Sequence, residues 1–346
     1  MSRRAGELPQ LGSEFAVARA RSAGVSAGRL RGRDLARPFR GVRASPAGSE
    51  GLDDLVARCR AFLTVMASDA VFSHTTAAIL YGIPIPWRLE RTTGSLHVTG
   101  PRRASTARGI IGHQSTLDPL DVTGGLRSLP GISDSSHPLH LPDQHEALVE
   151  TMCKRDPLDV AGRREGLRGL RVTSPERTLC DLAPLLSLGE LVAAVDRALF
   201  HGGPLVTRSS LADGIARHRA RRGRATLLRA MELATDLAES PRESLLRVLL
   251  IEAGLPAPTP QVRVQDAFGR EIARVDLAYP AHRIALEYEG DHHRTDRLQW
   301  RRDLARTRDL GLAGWETLRV TQLDLDSPAE MLLQLRYWLT TLTPMP

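Results

Sequence analysis

The stretch TPQVRVQDAFGREIARVDLAYPAHRIALEYE, residues 259–289, constrains the fold of this chain more than any other. TPQVRVQ and REIARVDLAYP read as two strands around a turn at Asp266–Gly269, and RIALEYE reads as a third strand. The segments around them have the periodicity of helices. In SPRESLLRVLLIEAG, Ser240 is placed to cap, Pro241 stands at the first position, Glu243 completes a capping box, and Gly254 is the stop. DRLQWRRDLARTRDLGLAG reads as a long helix ended by Gly314, WETLRVTQ as a fourth strand, and SPAEMLLQLRYWLTTL as a last helix. The expected order is α-β-β-β-α-β-α.

This sheet carries an acidic cluster. Side chains alternate along a strand, so Glu287 and Glu289 share a face with Ala285, away from Ile284, Leu286 and Tyr288. A hairpin across Pro280–His282 brings Asp276 of the preceding strand toward Glu287. Carboxylates gathered at a strand end repel one another and raise each other's pKa. A divalent cation relieves that repulsion, and Mg²⁺ (or Mn²⁺) takes carboxylate oxygens together with water and phosphate oxygens. Such an ion lowers the pKa of water and offsets charge on a scissile phosphate. The plain alternative is a solvated strand face. His292 and His293 are adjacent, so as a pair they are poorly placed for one ion; either could move a proton or contact phosphate. Zinc held by Asp and His is a lesser alternative, since no other histidines or cysteines cluster in the sequence. Asp303 and Arg306 lie three apart on the next helix, whose arginines hold the acidic cluster, meet a phosphate backbone, or simply line a solvated helix face. Trp315 is read as core.

Composition frames these readings. The chain has 346 residues, enough for two domains or more. It has no apolar run long enough for a membrane span, and its first residues lack the apolar region of a signal peptide. Cys59, Cys153 and Cys180 are too scattered for a metal motif or a disulfide framework, which fits a reducing cytoplasm. The net charge is +7, and Lys154 is the only lysine. A basic balance fits a polyanionic partner, DNA first; an arginine-rich, merely cationic surface is the other reading. No mechanism can use a catalytic lysine other than Lys154.

The rest of the chain is expected to be mostly helical with a small sheet. Residues 1–50 read either as a degenerate DNA-binding helix pair with a small wing, or as a frayed tail. Residues 51–238 form the second segment. There LDDLVARCRAFLTVMA reads as a helix, and SHTTAAILYG as another between a cap at Ser73 and a stop at Gly82. SLHVTG and RGIIGHQS alternate like strands, and residues 115–143 read as loops. Ser174 and Pro175 open a helix, the Ser187–Glu190 spacing opens another, and helical segments follow near 209–219 and 223–238.

Two resemblances sharpen the expectation. Helix, three strands, helix, strand is the core order of the restriction-endonuclease-like fold, and RVDLAYP, ALEYEGDHH, RRDLARTRDL and GWETLRVT resemble the DUF559 family, related to very-short-patch-repair nucleases. Asp276, Glu287, Glu289, Gly290, His293, Asp303, Arg306, Gly314 and Trp315 carry the match. By extension residues 239–346 resemble the PD-(D/E)xK superfamily. That implies Asp276 and Glu287 as metal ligands, Glu243 as the supporting acid, Glu289 as a further ligand or base, and His293 as proton donor or phosphate contact. Arg294, Arg302 and Arg306 are the implied nucleic-acid contacts. Where the superfamily has its lysine, this chain has Glu289. AVFSHTTAAILYGI, HVTGP and RVTSPERTLCDLA resemble the AbiEi-type antitoxins of type IV toxin–antitoxin systems, which implies operator DNA and a cognate toxin as partners. The expectation is thus a multi-domain α/β protein: a DNA-binding, Mg²⁺-dependent endonuclease, or a non-catalytic regulator of antitoxin type. The sequence leaves the oligomeric state open.

Overall fold

A computed structural model describes residues 11–44, 52–90, 94–102, 108–123, 167–266, 268–289 and 297–342. The protein is of mixed α/β class with more than one domain, and its described residues divide into two compact units. The first comprises residues 11–123, 167–182 and 213–218; the second comprises 183–212 and 219–342.

The first unit opens with β1 (Glu14–Ala16), α1 (Val17–Ser22) and β2 (Val42–Ala44), with β1 and β2 antiparallel. Leu11, Phe15, Ala20, Leu30 and Leu35 form a small core of their own, so residues 11–44 are packed rather than frayed. The expected helix pair is reduced to α1 and one 3₁₀ turn at Arg29–Arg31.

Next come α2 (Leu52–Leu63), β3 (Val71–Phe72), α3 (His74–Tyr81), α4 (Trp87–Glu90), β4 (Leu96–Gly100), β5 (Ile110–Gln114), β6 (Val122–Thr123), β7 (Val172–Thr173) and α5 (Pro175–Leu182). The strands form one sheet in the order β5-β4-β3-β7-β6, with β4 and β5 parallel. Ser174 caps α5 through the Arg177 amide. Gly82 ends α3 at φ +69°, as its position implied. Ser73 precedes α3, but its hydroxyl caps no amide: it accepts from Thr99 Oγ1 at 2.7 Å and lies 2.9 Å from His74 Nδ1.

Farther along lie α6 (Leu188–Leu199), α7 (Arg208–Arg217), α8 (Arg224–Leu233), α9 (Pro241–Glu252), β8 (Thr259–Gln265), β9 (Glu271–Tyr279), β10 (Ile284–Tyr288), α10 (Arg297–Leu312), β11 (Glu316–Val320), α11 (Gln322–Asp326) and α12 (Ala329–Thr341). Of these, α6 and all elements from α8 on belong to the second unit. From α9 to β11 the expected helix, three strands, helix, strand order holds. The sheet runs β11-β10-β9-β8; β10 is antiparallel to β9 and parallel to β11.

Alternation along the strands sorts the core onto two faces. Leu277, Tyr279, Ile284 and Leu286 pack with Leu246 and Leu250 of α9 and with Met331 and Leu335 of α12. Ala278 and Ala285 pack with Leu310 of α10, and Trp315 lies against this second cluster as half-buried core. Burying each large aliphatic side chain contributes about 1.5–3 kcal/mol. The second unit also includes α6 and α8: Asp196 of α6 makes a buried ion pair with Arg247 of α9 at 2.6 Å, and Arg247 donates to the carbonyl of Leu233 in α8.

Candidate functional site

The β9–β10 ladder ends at Leu277 opposite Leu286. The next residues along the two strands are Asp276 and Glu287, and here the strands no longer exchange backbone hydrogen bonds in register. The Asp276 carboxylate takes the place of the ladder: its Oδ2 accepts from the Tyr288 amide at 3.0 Å. Asp276 thus bonds the residue that follows Glu287, at the strand end where the sequence expectation gathered the carboxylates.

Glu243 enters from the first turn of α9. Ser240 caps the Glu243 amide, but the box is not reciprocal. The Glu243 Oε2 accepts instead from the Glu239 amide at 3.1 Å and from Gln261 Nε2 at 2.8 Å. Gln261 holds φ +53° inside β8, a left-handed conformation that a side chain adopts only at a cost. Burial raises the Glu243 carboxyl to about 8, and the negative charge of Asp276 adds to the rise. Two acidic groups from different elements thus share one end of the sheet.

The other two acids are matched by cations. Arg306 Nη2 of α10 lies 2.5 Å from Glu287 Oε1, and Arg319 Nη1 of β11 lies 2.7 Å from Glu289 Oε1. Arg319 Nη2 also donates to Thr307 Oγ1 at 2.7 Å. Of the roles read for the arginines of this helix, Arg306 takes the first, holding a carboxylate. His293 and Arg294 lie outside the described residues, as does the side chain of Arg302.

The donors at this sheet end suit Mg²⁺ or Mn²⁺ in kind. They are carboxylate oxygens, and one or two carboxylates completed by water and phosphate oxygens suffice for Mg²⁺. Glu243 and Asp276 are the pair whose mutual repulsion a cation would relieve. Glu287 could join them by exchanging its partner Arg306.

A second cluster lies in the first unit, and the sequence reading did not find it. One ring nitrogen from each of His74, His97 and His113 lies within 4.8 Å of the other two. His74 opens α3 at φ +51°. His97 and His113 come from parallel strands in a register that pairs His97 with Ile111 and Thr99 with His113. This two-residue offset puts both rings on one face. Burial, together with the neighbouring His113, His97, Arg177 and His218, pushes the His74 imidazole down to about 2. Burial and His113 push His97 down to about 4. Both rings are therefore uncharged at neutral pH.

Beside them, Arg177 donates from Nε to Asp181 Oδ1 and from Nη1 to Asp121 Oδ2, each at 2.9 Å and all buried. Burial holds the Asp181 carboxyl up at about 6 against the pull of Arg177. Asp181 Oδ2, 3.9 Å from His74 Nδ1, receives no hydrogen bond among the described residues.

No family model matches the chain. Two relatives from Mycobacterium tuberculosis, Uncharacterized protein MT2308 of strain CDC 1551 and Uncharacterized protein Rv2248 of strain H37Rv, are each 32% identical to it over 156 residues. The match spans 45% of this chain and 56% of each relative, little more than half their length. Among solved structures, the chain is similar to the RV2827C protein of Mycobacterium tuberculosis at 14% identity and a TM-score of 0.34, over 76% of this chain and 80% of that one. Among the described residues, no helix is long and apolar enough to cross a membrane.

Proposed function

We propose that the second unit is a Mg²⁺-dependent DNA phosphodiesterase site, within a DNA-binding, cytoplasmic protein. The observation that carries the reading is Glu243 set against Asp276 where β9 and β10 part. An ordinary sheet end gains nothing from a buried carboxyl beside a second acid. A cation-binding end does, because the ion offsets both charges.

In this reading Glu243 and Asp276 hold the ion, and Gln261 and the Glu239 and Tyr288 amides fix the carboxylates in place. The ion, when bound, supplies charge compensation at the scissile phosphate and a more acidic water. Arg306 and Arg319 stand over the neighbouring glutamates, where phosphate oxygens can compete for them. The net charge of +7 favours a polyanionic substrate.

A second reading rests on those same ion pairs. With Glu287 and Glu289 already compensated and no lysine beside them, the domain serves as a DNA-binding platform in a regulator of antitoxin type, with a cognate toxin as its further partner. Nicking of supercoiled plasmid separates the two. The nuclease reading expects cleavage with Mg²⁺ or Mn²⁺, none with EDTA, and loss of cleavage in Asp276→Asn with the fold intact by circular dichroism. A salt-sensitive gel shift without cleavage supports the platform instead.

A further inference from the structure

The trihistidine cluster belongs to the unit that the proposed phosphodiesterase site does not use, and it brings one ring nitrogen from each histidine within 4.8 Å of the others. His97 Nδ1 and His113 Nε2 face each other at 3.0 Å. The His74 and His113 rings stack with centroids 3.6 Å apart and planes 13° apart, so one of them must turn for both in-plane lone pairs to meet a single ion. His97 is 7% exposed, and among the described residues its ring bonds that other imidazole through Nδ1 while its Nε2 makes no hydrogen bond. The Nδ1 of His97 and the Nε2 of His113 share one hydrogen bond, so one of them carries the proton and the other accepts it.

We propose that His74, His97 and His113 form a binding site for a zinc-class divalent transition-metal ion. Imidazole nitrogen is a favoured donor for Zn²⁺, and three protein ligands with one open position is a common zinc arrangement. With Zn–N bonds of about 2.0–2.1 Å, the nitrogens of a tetrahedral site stand about 3.3 Å apart. The observed 3.0 Å is a few tenths of an ångström short, a shift that rotation of either ring supplies.

The surroundings hold the ligands in the required sense. A ligating histidine commonly gives its other ring N–H to an oxygen that fixes its orientation. The Ser73 hydroxyl at 2.9 Å and Asp181 Oδ2 at 3.9 Å lie on the Nδ1 side of His74, which leaves Nε2 for the ion. Arg177 anchors Asp181 through its other oxygen. His74 holds a left-handed φ of +51°, and its ring lies against the strand histidines, stacked on His113.

The full chain, stripped of metal, is titrated with Co²⁺ and then with Zn²⁺. The expected result is one equivalent of Co²⁺ with the visible absorption of a nitrogen-rich tetrahedral site, displaced by Zn²⁺. That equivalent is lost in His113→Gln and weakened about 10–100-fold in Asp181→Asn. It persists in the control Asp276→Asn/His293→Asn, which removes candidate ligands of the other unit. Zinc-edge X-ray absorption on the unsubstituted chain counts the imidazoles without relying on a variant that must fold. The absence of a tetrahedral signal, its survival in folded His113→Gln, its loss in the control, or fewer than three imidazoles around zinc overturns the proposal.

Discussion

Arg306 Nη2 lies 2.5 Å from Glu287 Oε1, so the glutamate that the sequence marks as a metal ligand is held by an arginine one helix away. Both side chains are partly shielded, which strengthens the pair over a fully exposed one. A cation that recruits Glu287 must displace this guanidinium. Arg306→Gln is therefore expected to tighten Mg²⁺ binding, by roughly fivefold if the pair is worth about 1 kcal/mol. Calorimetric titration without DNA measures it, and unchanged or weaker binding would show that Glu287 is not a ligand.

Glu243 gives the metal-free protein a specific pH response. Its carboxyl rises from 4.5 to about 8 on folding, because burial and Asp276 oppose ionisation. The folded state then binds the extra proton between those two values. Stability is highest below about pH 4.5 and falls as pH rises toward 8, where the penalty is complete. Glu243→Gln removes the penalty. In EDTA, the variant should gain on the unsubstituted protein from pH 5 to pH 8, by on the order of a few kcal/mol at most. Parallel melting curves across that interval refute the assignment.

The same contrast explains which parts of the molecule were legible in the sequence. The β8–β9–β10 meander is local: short connections and alternating side chains place Leu277 opposite Leu286, and hence Asp276 beside the end of β10. The Ser187–Glu190 box and the glycine stops are local too. The role of Glu243 in its own box was not, because Gln261 and the Glu239 amide compete for its carboxyl. The histidine cluster was hidden for a stronger reason. His97 and His113 are sixteen residues apart and meet through the parallel register of β4 and β5, a pairing that a two-residue hairpin cannot set. The available signal was weak: a histidine in each of two strands, LHVTG and IIGHQ, and a third behind a serine at a helix start.

Gly223 and Gly254 share φ +78° but differ in surroundings. A Cβ at Gly223 would meet the Ala183 carbonyl carbon at 2.5 Å and the Pro184 nitrogen at 2.6 Å, whereas one at Gly254 meets nothing within 4 Å. Gly254→Ala should cost about 1–2 kcal/mol for the left-handed backbone alone. Gly223→Ala must also move backbone, and should cost more. Thermal unfolding of both compares them directly, and equal losses would mean that the close approach at Gly223 relaxes freely.

Asp196 and Arg247 hold the helices of the second unit to one another. Asp196 is 1% exposed; its Oδ2 accepts from Arg247 Nη2 at 2.6 Å and from Ser244 Oγ at 2.7 Å, and its Oδ1 accepts from the Thr235 amide at 2.8 Å. Arg247 also donates to the Leu233 carbonyl. Removing one ion of such a pair strands the other in a dry interior, at a typical cost of about 3–5 kcal/mol. Asp196→Ala should therefore lower urea stability by about that amount. Replacing both ions together, in Asp196→Leu/Arg247→Met, removes the stranded charge and should recover most of the loss, although the Thr235 amide and Ser244 hydroxyl still lose their acceptor. A double variant no more stable than Asp196→Ala would assign the stabilisation to those two hydrogen bonds rather than to the ion pair.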